Sequence, residues 1–164
     1  MGNIFAGSEI VELGIQIEKN GQDFYNTLSA QTKNDKAKGL FEYLAGEEAR
    51  HIQVFNKILE KTTKYEPAGL DADEYYAYMN SLASEHVFTQ KDKGTEIAKG
   101  ISSDKEAVQM GIGFEEDSIV FYQGVKKIVP QYDQTTVDQL IAQEEQHLRQ
   151  LIELKSKLTP DLIG

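Results

Sequence analysis

The chain has 164 residues, enough for one domain with a substantial core, and 1–164 is read as a single domain. A net charge of −10, from 27 acids against 17 bases, argues against the concentrated Lys and Arg that nucleic acid or an anionic membrane surface requires, so neither is expected as a partner. There is no cysteine, which removes disulfides, thiol catalysis, iron–sulfur ligation and cysteine-based zinc sites and leaves oxygen and nitrogen ligands.

Apolar residues recur at helical rather than alternating spacing, and none of the three prolines precedes Pro67, so the expected class is all-α. Met1 to Gly7 has neither the basic start nor the apolar stretch of a leader, and no run approaches the roughly 20 apolar residues of a membrane span. A cytoplasmic location is the expectation. The first helix is predicted from about Ser8, an N-cap residue type, to about Thr32, and the second from Asp35 to Thr62. The third is predicted from Ser103 to Val129, stopped by Pro130, and the fourth from Thr135 to Leu158, stopped by Pro160. Residues 63–102 do not read as another long helix, although Asp73 to Ala83 suits a short one. Antiparallel neighbours need only a few linking residues, whereas a helix of about 25 residues is roughly 38 Å long. The long connection therefore predicts a four-helix bundle made of two antiparallel hairpins joined by a crossover.

An internal repeat supports that division. Gly14, Ile15, Glu18, Phe24 and Tyr25 recur as Gly111, Ile112, Glu115, Phe121 and Tyr122 at an offset of 97, and Glu48 and His51 recur as Glu144 and His147 at an offset of 96.

Heptad register decides which acids point inward. The seam of the second helix is Phe41, Leu44, Glu48, His51, Phe55, Ile58, and that of the fourth is Val137, Leu140, Glu144, His147, Leu151, Leu154. The first helix gives the stripe Val11, Gly14, Glu18, Gly21, Tyr25, Leu28 and the third gives Val108, Gly111, Glu115, Ser118, Tyr122, Val125, so Glu18 and Glu115 hold equivalent positions. Glu47, Glu116 and Glu145 lie about 100° off these seams and are expected in solvent or beyond the inner ring of ligands. Height agrees: residue 33, midway between Glu18 and Glu48, falls in the first turn, and the midpoint of Glu115 and Glu144 falls between Val129 and Pro130. Each hairpin thus presents a Glu opposite a Glu-x-x-His.

Four carboxylates gathered in an apolar core repel one another and lose hydration, at about several kcal/mol per ion, unless cations neutralise them. Two divalent metals suffice, and Glu at i with His at i+3 can reach one metal or bridge to the next. The metal ligands expected are Glu18, Glu48, His51, Glu115, Glu144 and His147. Carboxylates with one imidazole per metal suit iron or manganese, with zinc as a further candidate. One Glu-x-x-His pair is weak evidence on its own, because such pairs arise on solvated faces; two in matching repeat positions are strong. Tyr25 and Tyr122 read either as core aromatics with satisfied hydroxyls or as redox-active or hydrogen-bonding neighbours of the ligands. His86 lies in the crossover and reads as an ordinary surface or hydrogen-bonded histidine.

At Glu18, Glu48-x-x-His51, Glu115 and Glu144-x-x-His147, with the two Phe-Tyr repeats, the sequence resembles the ferritin-like di-iron carboxylate proteins, and most closely their rubrerythrin-like branch. The resemblance implies a ferritin-like bundle and two iron ions. Glu18 and Glu115 would be terminal or bridging ligands, Glu48 and Glu144 would bridge or chelate, and each histidine would give one nitrogen. It also implies reduction of hydrogen peroxide, or dioxygen, with cycling between di-ferrous and di-ferric forms. The rubredoxin domain with its paired Cys-x-x-Cys motifs has no counterpart in these residues, so electrons are expected from a separate rubredoxin-type donor. Ser118 stands where rubrerythrins carry an additional glutamate. A homodimer is expected by the same resemblance. The alternative is an iron-binding or ferroxidase-type protein without a dedicated peroxidase role.

Overall fold

The computed structural model describes residues 7–62, 72–129 and 131–158. Helix α1 spans Gly7–Gln31, α2 Asp35–Thr62, α3 Ala72–Glu85, α4 Lys93–Lys99, α5 Asp104–Val125 and α6 Gln131–Leu158, with a short 3₁₀ turn at Val87–Thr89. No strand occurs among the described residues. Helices α1 and α2 pack as one hairpin and α5 and α6 as the other; α1 lies against α5 and α2 against α6. The sequence predicts this arrangement because each long helix has one continuous apolar stripe, and four stripes close around a common core. Every residue of the four predicted seams is buried.

The helix ends follow local chemistry. Asn34 starts α2 by accepting the Ala37 N–H on its side-chain oxygen at 3.0 Å. Ser103 caps α5 by accepting the Glu106 N–H. Ser8, expected as a cap, lies within the first turn of α1.

Two predicted boundaries are corrected. Helix α5 ends at Val125, not Val129: Lys127 and Ile128 donate to Gly124 and Val125, three residues back, so the chain tightens out of the α-helix. Proline at 130 has no N–H and disfavours a helical residue before it, which ends the helix early. Helix α6 begins at Gln131 rather than Thr135.

The crossover is more ordered than expected. Helix α3 extends the predicted segment by a residue at its start and two at its end, and α4 had no counterpart in the sequence reading. Helix α3 packs on α5, while the 3₁₀ turn and α4 lie along α1, which provides the clamp. Asn20, fully buried, donates through Nδ2 to the Phe88 carbonyl at 2.7 Å and the Gln90 carbonyl at 2.5 Å, and its Oδ1 accepts the Gly94 N–H at 3.0 Å. Gly94 must be glycine for this approach, since a Cβ there would lie 2.0 Å from the Asn20 carbonyl oxygen. Gln31 donates to the Ala98 carbonyl, and Tyr75 of α3 donates to the Gly124 carbonyl.

His86 is buried at 3% exposure and is not on the surface; the hydrogen-bonded half of its expectation is what the fold realises. Its Nδ1 accepts from the Phe88 N–H at 3.3 Å and its Nε2 lies 3.3 Å from the Ser118 hydroxyl, which itself donates to the Phe114 carbonyl. Phe88, Phe114 and Phe121 surround the ring.

Candidate metal centre

Glu18 of α1, Glu48 and His51 of α2, Glu115 of α5, and Glu144 and His147 of α6 meet at one level of the bundle, each no more than 1% exposed. Seam position brings each side chain inward, and equal distance from the two turns brings them to equal height. Both imidazoles present Nδ1 to the carboxylates. His51 Nδ1 is 2.9 Å from Glu144 Oε1, 3.4 Å from Glu18 Oε2 and 3.8 Å from Glu48 Oε2. His147 Nδ1 is 3.1 Å from Glu144 Oε2, 3.7 Å from Glu48 Oε1 and 3.8 Å from Glu115 Oε1. The two rings are stacked, with centroids 5.6 Å apart.

The ligand atoms fall into two overlapping groups of four: Glu18, Glu48, His51 and Glu144, and Glu48, Glu115, Glu144 and His147, with the atoms of each group within 4.8 Å of one another. Glu48 and Glu144 belong to both, so each can offer one oxygen to either position. That is the arrangement of a paired site with two shared carboxylates.

The tyrosines brace this cluster across the hairpins. Tyr25 of α1 donates its hydroxyl to Glu115 Oε1 of α5 at 2.7 Å, and Tyr122 of α5 donates to Glu18 Oε1 of α1. Each takes one oxygen of its glutamate and leaves the other facing inward. Burial, followed by Glu115 for Tyr25 and by Glu18 for Tyr122, raises both phenols well above the usual range, so they are proton-bearing donors. The two readings of these tyrosines therefore merge: they are core aromatics whose hydroxyls hold the glutamates in place.

Electrostatics shows what the cluster lacks. Burial first, and then the charge of Glu144, raises Glu18, and raises Glu48 and Glu115 further still. Burial acts upward on Glu144 too, but its close contacts with Glu115, His147 and His51 outweigh it and hold this carboxyl well below the usual range. Burial acts to lower His51, yet the surrounding Glu18 and Glu144 push it up to about 11. Protons are drawn in because four carboxylates have too few partners. Glu18 Oε2, both oxygens of Glu48, His51 Nδ1, Glu115 Oε2 and Glu144 Oε1 are buried without a hydrogen bond. Leaving such atoms unpaired costs about 1–3 kcal/mol each, more when charged. Hard oxygen donors with one nitrogen at each position fit divalent cations of the iron and manganese type, and two such charges balance four carboxylates.

Glu116 and Glu145 are exposed, and Glu47 is half-buried, with its carboxylate accepting from Tyr43 at 2.7 Å and from Arg50 at 2.5 Å. The sequence reading missed Gln143, whose side-chain oxygen lies 2.7 Å from His51 Nε2. Its position four residues before His147, at the site's height on the facing helix, is the only signal that could have singled it out.

Among the described residues no helix is long and apolar enough to cross a membrane. No curated protein matches the chain. A solved structure from Thermotoga maritima, described as a ferritin-like diiron-carboxylate protein, is 27% identical, with a TM-score of 0.69 over 97% of this chain and 100% of that one. It carries the ferritin-like fold across the whole four-helix arrangement. A rubrerythrin family model matches residues 9–155, and on that match, which spans both hairpins and all six of the converging residues, the chain belongs to the rubrerythrin family.

Proposed function

We propose that this protein is a non-haem di-iron oxidoreductase that reduces hydrogen peroxide, or dioxygen, with electrons from a separate rubredoxin-type donor. The observation that carries the reading is the set of buried, unpartnered carboxylate and imidazole atoms aimed into one space between the hairpins. Glu18, Glu48, His51 and Glu144 would hold one iron, and Glu48, Glu115, Glu144 and His147 the other. A bound iron pair supplies two electrons at neighbouring centres, so an O–O bond can be broken without release of a one-electron radical.

The protein's own part is positional and protic. Burial of all six side chains excludes bulk water and strengthens each charge interaction. Tyr25 and Tyr122 keep their protons in hydrogen bonds to Glu115 and Glu18, which orient these two carboxylates in the cluster. Membership of the rubrerythrin family supports the iron assignment.

The test is to load the protein with Fe(II) under argon and add peroxide. Rapid growth of di-ferric absorption in the near ultraviolet is expected, followed by multiple turnovers when a reduced rubredoxin-type donor is present. No optical change on adding peroxide overturns the reading. Continued oxidation of Fe(II) far beyond two equivalents per chain, with sluggish peroxide turnover, would replace it with iron handling.

A further inference from the structure

We infer that Gln143 is the positioning residue of His51, and that it makes the two cation positions of the centre unequal. This deepens the metal-centre reading and rests on it. Helices α2 and α6 are repeat mates at an offset of 96, so the groups behind the two imidazoles would match if the flanking residues had been repeated as well. They were not. Tyr43, Glu47 and Arg50 on α2 correspond to Gln139, Gln143 and Gln146 on α6.

In the folded bundle each flank serves the opposite histidine. Gln143, four residues before His147, reaches across to His51. Tyr43 and Glu47 lie on the α2 face beside His147, with the Tyr43 ring edge-on to its imidazole at a centroid distance of 6.3 Å.

The chemistry on the two sides differs. The Gln143 side-chain oxygen can only accept, so at 2.7 Å it calls for a hydrogen on His51 Nε2. In a neutral ring that leaves the lone pair on Nδ1, the atom that is buried, lacks a hydrogen bond and sits among Glu18, Glu48 and Glu144. A ligating imidazole needs this tautomer, and an outer acceptor also raises its basicity toward a cation. The repeat mate Glu47 accepts from Tyr43 on one oxygen and from Arg50 on the other, and although its charge lies near His147 no hydrogen bond joins the two. Loss of the Gln143 amide should therefore weaken one cation position and spare the other.

The experiment is a Co(II) titration of the full chain under argon, read by ligand-field absorption, for the wild type, Gln143→Leu and Gln143→Glu. Gln143 is at the solvent-exposed rim, so the substitution does not disturb the core, and circular dichroism checks that the helices persist. The wild type should take up two equivalents. Gln143→Leu should weaken one of them by about 10-fold, the low end of the usual range because rim water can replace part of the bond, while Gln143→Glu, which still accepts from Nε2, should restore it. In ¹⁵N spectra of the Zn(II)-loaded protein, the His51 Nε2–H should be visible in the wild type and lost to solvent exchange in Gln143→Leu. A Gln143→Leu titration identical to the wild type, or one in which both equivalents weaken alike, overturns the inference and leaves the metal-centre reading standing. A wild-type chain that takes up no Co(II) overturns both.

Discussion

At the scale of single residues, the cluster is held by donors on the opposite hairpin. Tyr122 supplies the proton that satisfies Glu18 Oε1 at a site where the other oxygen already lacks a partner. Tyr122→Phe keeps the ring and removes only that donor, so a loss of about 1–3 kcal/mol is expected in urea unfolding of the metal-loaded protein. His86 makes a separate prediction. Burial lowers its imidazole from 6.5 to about 4, so it is neutral in the folded protein at neutral pH. The unfolded chain takes up a proton as pH falls below 6.5 and the folded one resists until about 4, so this group's contribution to stability is lost across that window. The loss approaches about 3 kcal/mol at the acid end. His86→Gln should flatten the difference between denaturation curves taken at pH 7 and pH 4.5, and a variant with the same acid dependence as the wild type would contradict the assignment.

At the scale of elements, α1 anchors two things on two faces: Glu18 toward the cluster and Asn20 toward the crossover. Asn20→Ala strands two carbonyls and one N–H, and should cost about 3 kcal/mol. Gly94→Ala drives a methyl into the Asn20 backbone carbonyl oxygen, and neither a Cβ nor a helix carbonyl can rotate away. It should release α4 from α1, seen as faster amide exchange across Val87–Lys99 with the hairpin amides of α2 and α6 little changed. Uniform exchange in that variant would mean that the crossover is held elsewhere. Pro130 acts at the same scale: it shortens α5 by four residues against the sequence expectation while α6 starts immediately after it.

For the whole molecule, the cluster sets a conflict between stability and function. Four acids in an apolar bundle are tolerated at neutral pH only through protons drawn into the site or through bound cations. Removal of metal by a chelator should therefore lower Tm. Each equivalent held at a hundredfold excess over its Kd contributes about 2.7 kcal/mol, or roughly 5–10 °C for a chain of this size. The gain from metal should shrink on acidification, because protons compete for the same ligand atoms. A calorimetric Tm that is the same with and without metal would contradict the view that cations relieve the cluster.

Much of this was legible along the chain, for a physical reason. Helix period and heptad register are properties of short windows, so α2 could be bounded at Asp35 and Thr62, and Glu18, Glu48, His51, Glu115, Glu144 and His147 could be assigned to the interior before any fold was known. Their common height followed from counting residues to each turn, since an antiparallel hairpin converts distance along the chain into level in the bundle. What only the tertiary structure decided are the contacts that join different hairpins or join a hairpin to the crossover: Tyr25 to Glu115, Tyr122 to Glu18, Gln143 to His51, Asn20 to Phe88. Those pairs are 68 to 104 residues apart, and each depends on how rigid helices are rotated and seated against one another. Spacing within one helix determines which side faces in; it does not determine which side chain waits on the helix opposite.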